Sequence, residues 1–174
     1  IAFLIIQKIG HSSLTLGYAI TASDFIISPA TPSSTARAGG IVFPIIKSLS
    51  SALGSEPGET ARRFGAYIMQ IEYQANAITC AMFMTAMAGN PLSVELAEKA
   101  TGTQITWSGW AVAAIVPGLI SLMVMPYLLY RLFPPEIGEM PLAKQMATDE
   151  LTKMGAMSTV EKIVAVVFCG ALLL

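Results

Sequence analysis

The chain has 174 residues, of which 54% are hydrophobic and 12% are charged, and its mean hydropathy is +0.65. Soluble domains carry about 25% charged residues, so this composition excludes an ordinary soluble domain and predicts a protein that lies in lipid. The formal net charge is −1, and no basic patch points to a nucleic-acid partner.

The first predicted feature is a hairpin that enters and leaves the membrane on one side. Residues 1–11 are expected to be the end of a preceding helix. Two apolar segments follow, 12–29 and 36–46, each too short to span a bilayer alone. The run between them, ATPSSTARAGG, is small, hydroxylated and rich in helix-breaking residues. Because lipid cannot satisfy non-helical backbone, this turn predicts a re-entrant hairpin over 12–46, with its tip near the middle of the membrane.

The loops differ in their content of Lys and Arg. The segment 47–63 holds three, 93–108 holds one and 131–162 holds four. Loops with an excess of Lys and Arg, counted without regard to Asp and Glu, lie on the cytoplasmic side or its equivalent. We therefore predict a cytoplasmic loop over 47–63, an external loop over 93–108 and a cytoplasmic connector with a surface helix over 133–162.

The segment 64–92 is predicted to be a broken transmembrane helix. It is long and apolar, but Gly89, Asn90 and Pro91 near its end weaken helical structure, and Pro91 disfavours helical geometry at Asn90. Unwinding there would free backbone carbonyls that could coordinate an ion. The alternative, in which these residues simply end the helix at the outer surface, stays open.

The most regular span is predicted at 109–132. The run from Trp110 to Tyr130 carries no charge and would be about 31 Å long as a helix, which matches the hydrocarbon thickness of a bilayer. Residues 163–174 are expected to start a further transmembrane helix that is truncated. Since the chain also begins with Ile rather than Met, we expect a fragment cut at both ends.

A ligand-binding site is expected at the hairpin tip. Ser33, Ser34 and Thr35 offer three hydroxyls beside backbone that cannot continue as a helix. Hydroxyls, free amides and the N-terminus of a helix beginning near Ala36 would suit a carboxylate. These residues could equally well only cap a helix in a tight turn. Two broken elements near the membrane midplane are typical of the site of a secondary transporter, which favours a binding site here.

Ionisable residues near the membrane have several readings. Arg37 could attract a dianion, hydrogen-bond the tip carbonyls or pair with Asp24, and these alternatives stay open. An intramembrane carboxylate such as Asp24 is functional by default, and a transport role and a structural salt bridge both stay open for it. Glu72 lies about two turns into its span and could face the bundle interior. An enzyme would need a nucleophile such as Ser33 with a general base beside it. The single histidine, His11, lies at the cytoplasmic end of the hairpin, far from Ser33 in the sequence. We therefore expect no enzymatic activity. A purely structural membrane subunit would have unbroken helices, so the hairpin and the Gly-Asn-Pro break argue against this class of protein.

Three ordered blocks carry a resemblance to a known family: TPSSTARAGGIVFP, MFMTAMAGNPL and WAVAAIVPGLISLMVMPYLLYRLFPPE. The chain resembles the divalent anion:sodium symporter family, in the branch of 2-oxoglutarate/malate translocators and citrate/succinate antiporters. The resemblance implies an all-α polytopic membrane protein, here part of one inverted repeat, that transports dicarboxylates by alternating access. It also implies a homodimer in the full-length protein, in a bacterial inner membrane or a plastid inner envelope.

In that family the hairpin tip carries Ser-Asn-Thr, whose residues touch a sodium ion and a substrate carboxylate. Ser33 and Thr35 match the outer positions, and Ser34 stands where Asn is usual. This departure favours exchange of one dicarboxylate for another, with sodium-coupled di/tricarboxylate symport as the alternative and a structural membrane subunit as a distant one. No cofactor is expected, apart from sodium as a candidate coupling ion. The predicted substrate-binding residues are Ser33, Ser34, Thr35, Arg37 and Asn90, and the predicted ion-binding residues are Ser33, Ser34, Thr85, Ala86 and Gly89.

Overall fold

The computed structural model describes residues 2–139, 141–155 and 157–173, and its regular structure in these ranges is helical, apart from one isolated backbone bridge. The α-helices are α1 (Ala2–Ile9), α2 (Ser13–Ile27), α3 (Phe43–Ala52), α4 (Gly65–Met82), α5 (Gly89–Thr101), α6 (Trp107–Leu132), α7 (Pro141–Met154) and α8 (Thr159–Leu173). Shorter elements are 3₁₀ turns at Ser28–Ala30, Ala61–Arg63 and Met84–Ala86 and a π-helix at Ala36–Val42. The predicted all-α class is confirmed.

The predicted hairpin region forms two helical arms joined by a short turn. The first arm is α2, whose start is capped by reciprocal hydrogen bonds between Ser12 and Thr15. The second arm runs through the π-helix directly into α3 and continues past Ile46 to Ala52. Pro44 cannot donate the backbone hydrogen bond that an α-helix requires at its position. The turns before it are wound in the wider π form, which is rare and is frequently found at functional sites.

The long helix predicted over 64–92 is interrupted, but earlier than its Gly-Asn-Pro sequence suggests. α4 ends at Met82, the chain is extended at Phe83 (φ −119°, ψ 127°), and a 3₁₀ turn follows. Residues 89–91 then form the first turn of α5. A proline is tolerated in a first turn because its missing N–H would have no helical partner there.

After the break, the chain forms two further helices, α5 and α6. α5 continues to Thr101, so the segment 93–108, expected as an external loop, is helical over much of its length. Gly102 ends α5 in the left-handed conformation (φ 71°) that glycine adopts readily. α6 has 26 residues, and within the described residues it is the one helix long and apolar enough to cross a membrane. Its large exposed side chains include Val112, Val116, Ile120, Met123, Val124 and Leu128.

α4 is the centre of the hydrophobic core. It packs against α6, α2 and α3. Its side chains Tyr67, Ile68 and Ile71 are almost completely buried and belong to one cluster with Leu16 and Ile20 of α2. Because α4 touches both the hairpin and α6, it is the frame on which the hairpin tip is positioned.

The three segments that carry most of the Lys and Arg meet at one end of α2. The connector after α6 reaches the start of the hairpin, where the amide of Ser13 donates to the carbonyl of Gly138 at 2.9 Å. It also joins the loop before α4, since the amides of residues 136–137 donate to the carbonyls of residues 62–63 at 3.2 and 3.0 Å. The hairpin tip lies at the opposite end of α2.

The connector continues as α7, a helix that lies against α1. Ala143 and Ala147 are buried in the same cluster as Ile6, while Lys144 and Lys153 are exposed. A helix is therefore present within 133–162, and its place on a membrane surface stays a prediction.

The close approach of α2 to α4 requires a glycine at position 17. A methyl group added there would lie 2.8 Å from the Tyr67 hydroxyl and 3.5 Å from the Ile71 side chain. We expect Gly17→Ala to lower the free energy of unfolding by about 1–3 kcal/mol, as overpacking of a filled core does. The measurement is the thermal midpoint of the full-length protein in detergent. Gly39→Ala is the matched control because its added methyl meets open space, and equal losses in both variants would contradict the prediction.

Candidate functional site

The two broken places in the chain lie against each other. The 3₁₀ turn at Ser28–Ala30 contacts the 3₁₀ turn at Met84–Ala86. The hydroxyl of Thr85 donates a hydrogen bond to the carbonyl of Pro29 at 2.7 Å, and the Ser28 hydroxyl donates to the carbonyl of Thr79 at 3.3 Å. The end of the first hairpin arm and the break after α4 therefore form one continuous region of non-α backbone.

The hydroxyls at the hairpin tip have different surroundings. The Ser33 oxygen accepts a hydrogen bond from the backbone amide of Ala36 at 3.2 Å, which is the geometry of a helix N-cap. Ser34 is half-buried and Thr35 is exposed. Among the described residues, neither of these two hydroxyls has a hydrogen-bond partner. The capping alternative thus accounts for Ser33, while the hydroxyls of Ser34 and Thr35 are available to a ligand.

Arg37 is completely buried and is held by side chains from two other elements. Its Nε donates to Oδ1 of Asp24 in α2 at 2.7 Å, and both side chains are 0% exposed. Its Nη2 donates to the hydroxyl of Thr79 in α4 at 3.1 Å and to the sulfur of Cys80 at 3.3 Å. Its Nη1 donates to the carbonyl of Thr31 in the turn at 3.4 Å.

Thr79 completes this network because it bonds to both charged partners. Its hydroxyl donates to Oδ2 of Asp24 at 2.5 Å and accepts from Arg37. The network therefore connects α2, the π-helix and α4 at the level of the tip. Of the readings left open for Arg37, pairing with Asp24 and bonding to a tip carbonyl are both observed. Direct contact of Arg37 with a substrate stays a prediction.

A second polar contact holds the tip from the side of α4. The side-chain amide of Asn76 donates to the carbonyl of Ser34 at 3.3 Å. Asn76, Thr79 and Cys80 were missed by the sequence analysis, although their spacing of three and four residues places them on one face of α4. Polar residues at this spacing within an uncharged run could have predicted a polar face on this helix.

Asn90 closes the end of α4 with its side chain. Its Nδ2 donates to the carbonyl of Cys80 at 2.7 Å and to that of Phe83 at 3.0 Å. The last carbonyls of a helix have no helical donor, so a side-chain amide is a natural partner for them. With Nδ2 used in this way, only Oδ1 of Asn90 is available to a ligand, and its predicted contact with substrate is untested.

The predicted ion-binding residues after α4 have unlike environments. Thr85 is exposed and bonded to Pro29, Ala86 is completely buried with its amide donating to the carbonyl of Phe83 at 3.0 Å, and Gly89 is half-buried in the first turn of α5. Their role in ion binding stays a prediction.

Replacing Asn90 tests whether its amide is structural. Asn90→Ala removes the side-chain donor of the Cys80 carbonyl, while the carbonyl of Phe83 keeps the amide of Ala86. We therefore expect a loss of about 1–3 kcal/mol in the free energy of unfolding, the cost of one unsatisfied buried acceptor. Thermal midpoints of the full-length protein measure this loss, and Gln104→Ala, which removes an exposed amide, is the control. If Asn90→Ala left stability unchanged and abolished transport, the side chain would serve a ligand instead.

Comparison with known proteins places this site in a family. The whole chain, residues 1–174, matches the family model described as the sodium:sulfate symporter transmembrane region. The chain belongs to this family. The resemblance drawn from the hairpin tip, the break and the long span is thereby confirmed, and the chain is an integral membrane protein.

Several curated members of the family are closely similar. The "Putative malate transporter YflS" of Bacillus subtilis is 49% identical over 175 residues, covering 100% of this chain and 37% of the relative. The "Dicarboxylate transporter 1, chloroplastic" of Spinacia oleracea is 48% identical over 167 residues, covering 95% of this chain and 29% of the relative. The "L-tartrate/succinate antiporter" of Escherichia coli is 35% identical over 175 residues, covering 100% of this chain and 36% of the relative. The chain spans about a third of the length of these transporters.

Proposed function

We propose that this chain is part of a secondary transporter that exchanges dicarboxylates across a membrane by alternating access. The observation that carries the proposal is the contact between the two helix breaks, through the Thr85–Pro29 hydrogen bond of 2.7 Å. Paired discontinuities are where secondary transporters build their substrate and ion sites. The printed names of the relatives, which include malate, dicarboxylate and tartrate/succinate transporters, favour the substrate class.

The tip would bind one carboxylate of the substrate. The hydroxyls of Ser34 and Thr35 and the first amides of the second arm can donate to it, and the N-terminal end of that arm adds a favourable dipole. Asp24 and Arg37 neutralise each other, so they add little net charge at the tip and act by holding its shape. The second carboxylate would be bound by parts of the full-length protein outside this chain.

The hairpin would enter and leave the membrane on one side. The segments before α2, before α4 and after α6 meet at one end of α2 and carry most of the Lys and Arg, which supports a common cytoplasmic side for them. The tip, at the other end of α2, would then lie within the membrane, where its non-helical backbone must face protein or a wet cavity. The full-length protein would be a homodimer in lipid, in a bacterial inner membrane or a plastid inner envelope, and would have no enzymatic activity.

Sodium-coupled di/tricarboxylate symport is the second candidate, because the family description names a sodium symporter. Oxygen ligands suit such a cation, and the break offers the hydroxyl oxygen of Thr85 and the backbone carbonyls near Ala86 and Gly89. Ser34 supplies a hydroxyl where the related Ser-Asn-Thr motif supplies an amide oxygen, which favours exchange over symport.

The test is uptake of radiolabelled 2-oxoglutarate into proteoliposomes that contain the full-length parent protein. Uptake is measured with and without internal malate, and with and without a sodium gradient. Uptake that requires internal malate and ignores sodium is the expected result and establishes exchange. Sodium-driven uptake without a counter-substrate would establish symport, and no uptake of 2-oxoglutarate, malate or citrate would overturn the dicarboxylate assignment.

A further inference from the structure

Glu72 is a buried carboxylate with no partner in the described residues. It lies on α4, is 5% exposed, and neither of its two oxygens has a hydrogen bond within the described ranges. Ile68 and Ala75, one turn before and after it, are completely buried and belong to the two hydrophobic clusters of the fold. Glu72 therefore lies between two apolar layers.

The charged groups around Glu72 are already paired with each other. Asp24 from α2 and Arg37 from the π-helix are the ones whose charges act on it, and they form the ion pair described above. On α4 itself, the Tyr67 hydroxyl donates to the carbonyl of Pro126 in α6. The other elements against α4 carry Tyr18, Lys47, Arg62, Arg63, Tyr127, Tyr130 and Arg131, and no hydrogen bond or ion pair joins any of these to Glu72 in the described structure.

An ionised carboxylate in such a place is strongly unfavourable, since it has lost its water and gained neither a cation nor a donor. Neutralisation by a proton removes this penalty. We propose that Glu72 is a proton-binding site, occupied in the conformation described here and emptied when the transporter moves to another conformation. The proton adds to one carboxylate oxygen, and no other bond changes.

The position of Glu72 connects proton binding to the substrate site. Asn76 lies one turn further along the same face of α4 and donates to the carbonyl of Ser34 at the tip. A charge at Glu72 would disfavour burial of this face against the hairpin, so loss of the proton would shift the protein away from this conformation. The part of the inference that concerns transport rests on the proposed function, and the proton site itself does not.

Infrared spectroscopy of the purified full-length protein tests the site without any substrate. A protonated carboxylic acid has its own C=O stretching band, which moves when the proton is exchanged for deuterium. We expect this band in the wild type and in the control Glu59→Gln, which changes an exposed loop carboxylate, and its loss in Glu72→Gln. Absence of the band in the wild type, or its persistence unchanged in Glu72→Gln, would overturn the proposal. If Glu72→Gln does not accumulate, Glu72→Asp replaces it, and a shift of the band assigns it to position 72.

The transport assay tests the coupling. In exchange-mode uptake of 2-oxoglutarate between about pH 6 and about pH 9, we expect the wild-type rate to fall as pH rises, by no more than about tenfold per pH unit for one proton. Glu72→Gln is permanently neutral and cannot pass through the emptied state, so it should transport more slowly than the wild type and with a rate that does not depend on pH, whereas Glu59→Gln should follow the wild type. Equal pH profiles in wild type and Glu72→Gln would overturn the coupling. If the wild type shows no acid band and a sodium dependence of uptake that Glu72→Gln loses, the site binds a metal cation, and the proton-site proposal is overturned. An assigned acid band without uptake of any dicarboxylate would leave the proton site supported and the proposed function refuted.

Discussion

Arg37→Leu is expected to abolish the stable fold of the hairpin region. The substitution leaves the carboxyl group of Asp24 buried and without its cation, and loss of one partner of a buried ion pair costs about 3–5 kcal/mol. Thr79, Cys80 and the carbonyl of Thr31 lose their donor at the same time. The measurement is the yield of folded full-length protein from membranes, together with its thermal midpoint in detergent.

Two further variants show whether the loss comes from the unpaired charge. The double variant Asp24→Leu with Arg37→Leu removes both charges, and we expect it to recover most of the stability because a buried pair replaced by apolar residues is often neutral. The matched control is the exposed pair Glu95 and Lys99, whose side chains are 59% and 68% exposed. Lys99→Leu should cost no more than about 0.5 kcal/mol. A similar small cost for Arg37→Leu would refute the structural role.

The double variant also separates positioning from substrate contact. If Arg37 only holds the tip, a double variant that recovers the thermal midpoint of the wild type should also keep a KM for dicarboxylate near that of the wild type, whatever happens to kcat. A large rise in KM in a double variant with the thermal midpoint of the wild type would favour direct contact of Arg37 with the substrate.

Thr35→Val is expected to lower kcat/KM for dicarboxylate uptake by about tenfold to a hundredfold, the loss associated with one hydrogen bond to a charged group. The side chain keeps its shape and loses only its hydroxyl. Thr35 is exposed and its hydroxyl has no partner in the described structure, so the thermal midpoint should not change. Initial rates in proteoliposomes as a function of 2-oxoglutarate concentration measure the effect.

Controls for this prediction come from the same turn and from a remote site. Ser33→Ala removes the observed cap, so it should cost about 1 kcal/mol of stability. Thr103→Val, in the exposed link between α5 and α6, should change neither property. Normal transport by Thr35→Val would show that the hydroxyl of Thr35 does not bind the substrate.

Features that depend on local composition were predictable from the sequence. The long helix α6 follows from an uncharged run, and the break between α2 and the π-helix follows from the prolines, glycines and hydroxylated residues over Ala30 to Gly40. The exact place of the break after α4 was not predictable from the Gly-Asn-Pro sequence. Pro91 is compatible with the first turn of a helix as well as with the end of one, and the choice was decided by Asn90, whose amide closes the helix before it.

The partners of the polar residues could not be predicted because they are distant in the chain. Thr79 and Asp24 are separated by 55 positions and Asn76 and Ser34 by 42. No local sequence pattern predicts which tip residues form hydrogen bonds with distant parts of the chain and which keep their polar groups available to a ligand. The same holds for Glu72, whose burial was expected but whose lack of a partner depends on the surrounding helices.

The sequence by itself determined that the chain lies in a membrane, is helical and belongs to a transporter family, because hydropathy, helix breakers and ordered motifs are properties of the local sequence. Only the tertiary structure decided the roles of the polar groups. It pairs Arg37 with Asp24, uses Asn90 to close α4, and leaves the hydroxyls of Ser34 and Thr35 available. The physical reason is that a buried polar group must find a partner, and in this fold the partners come from other helices.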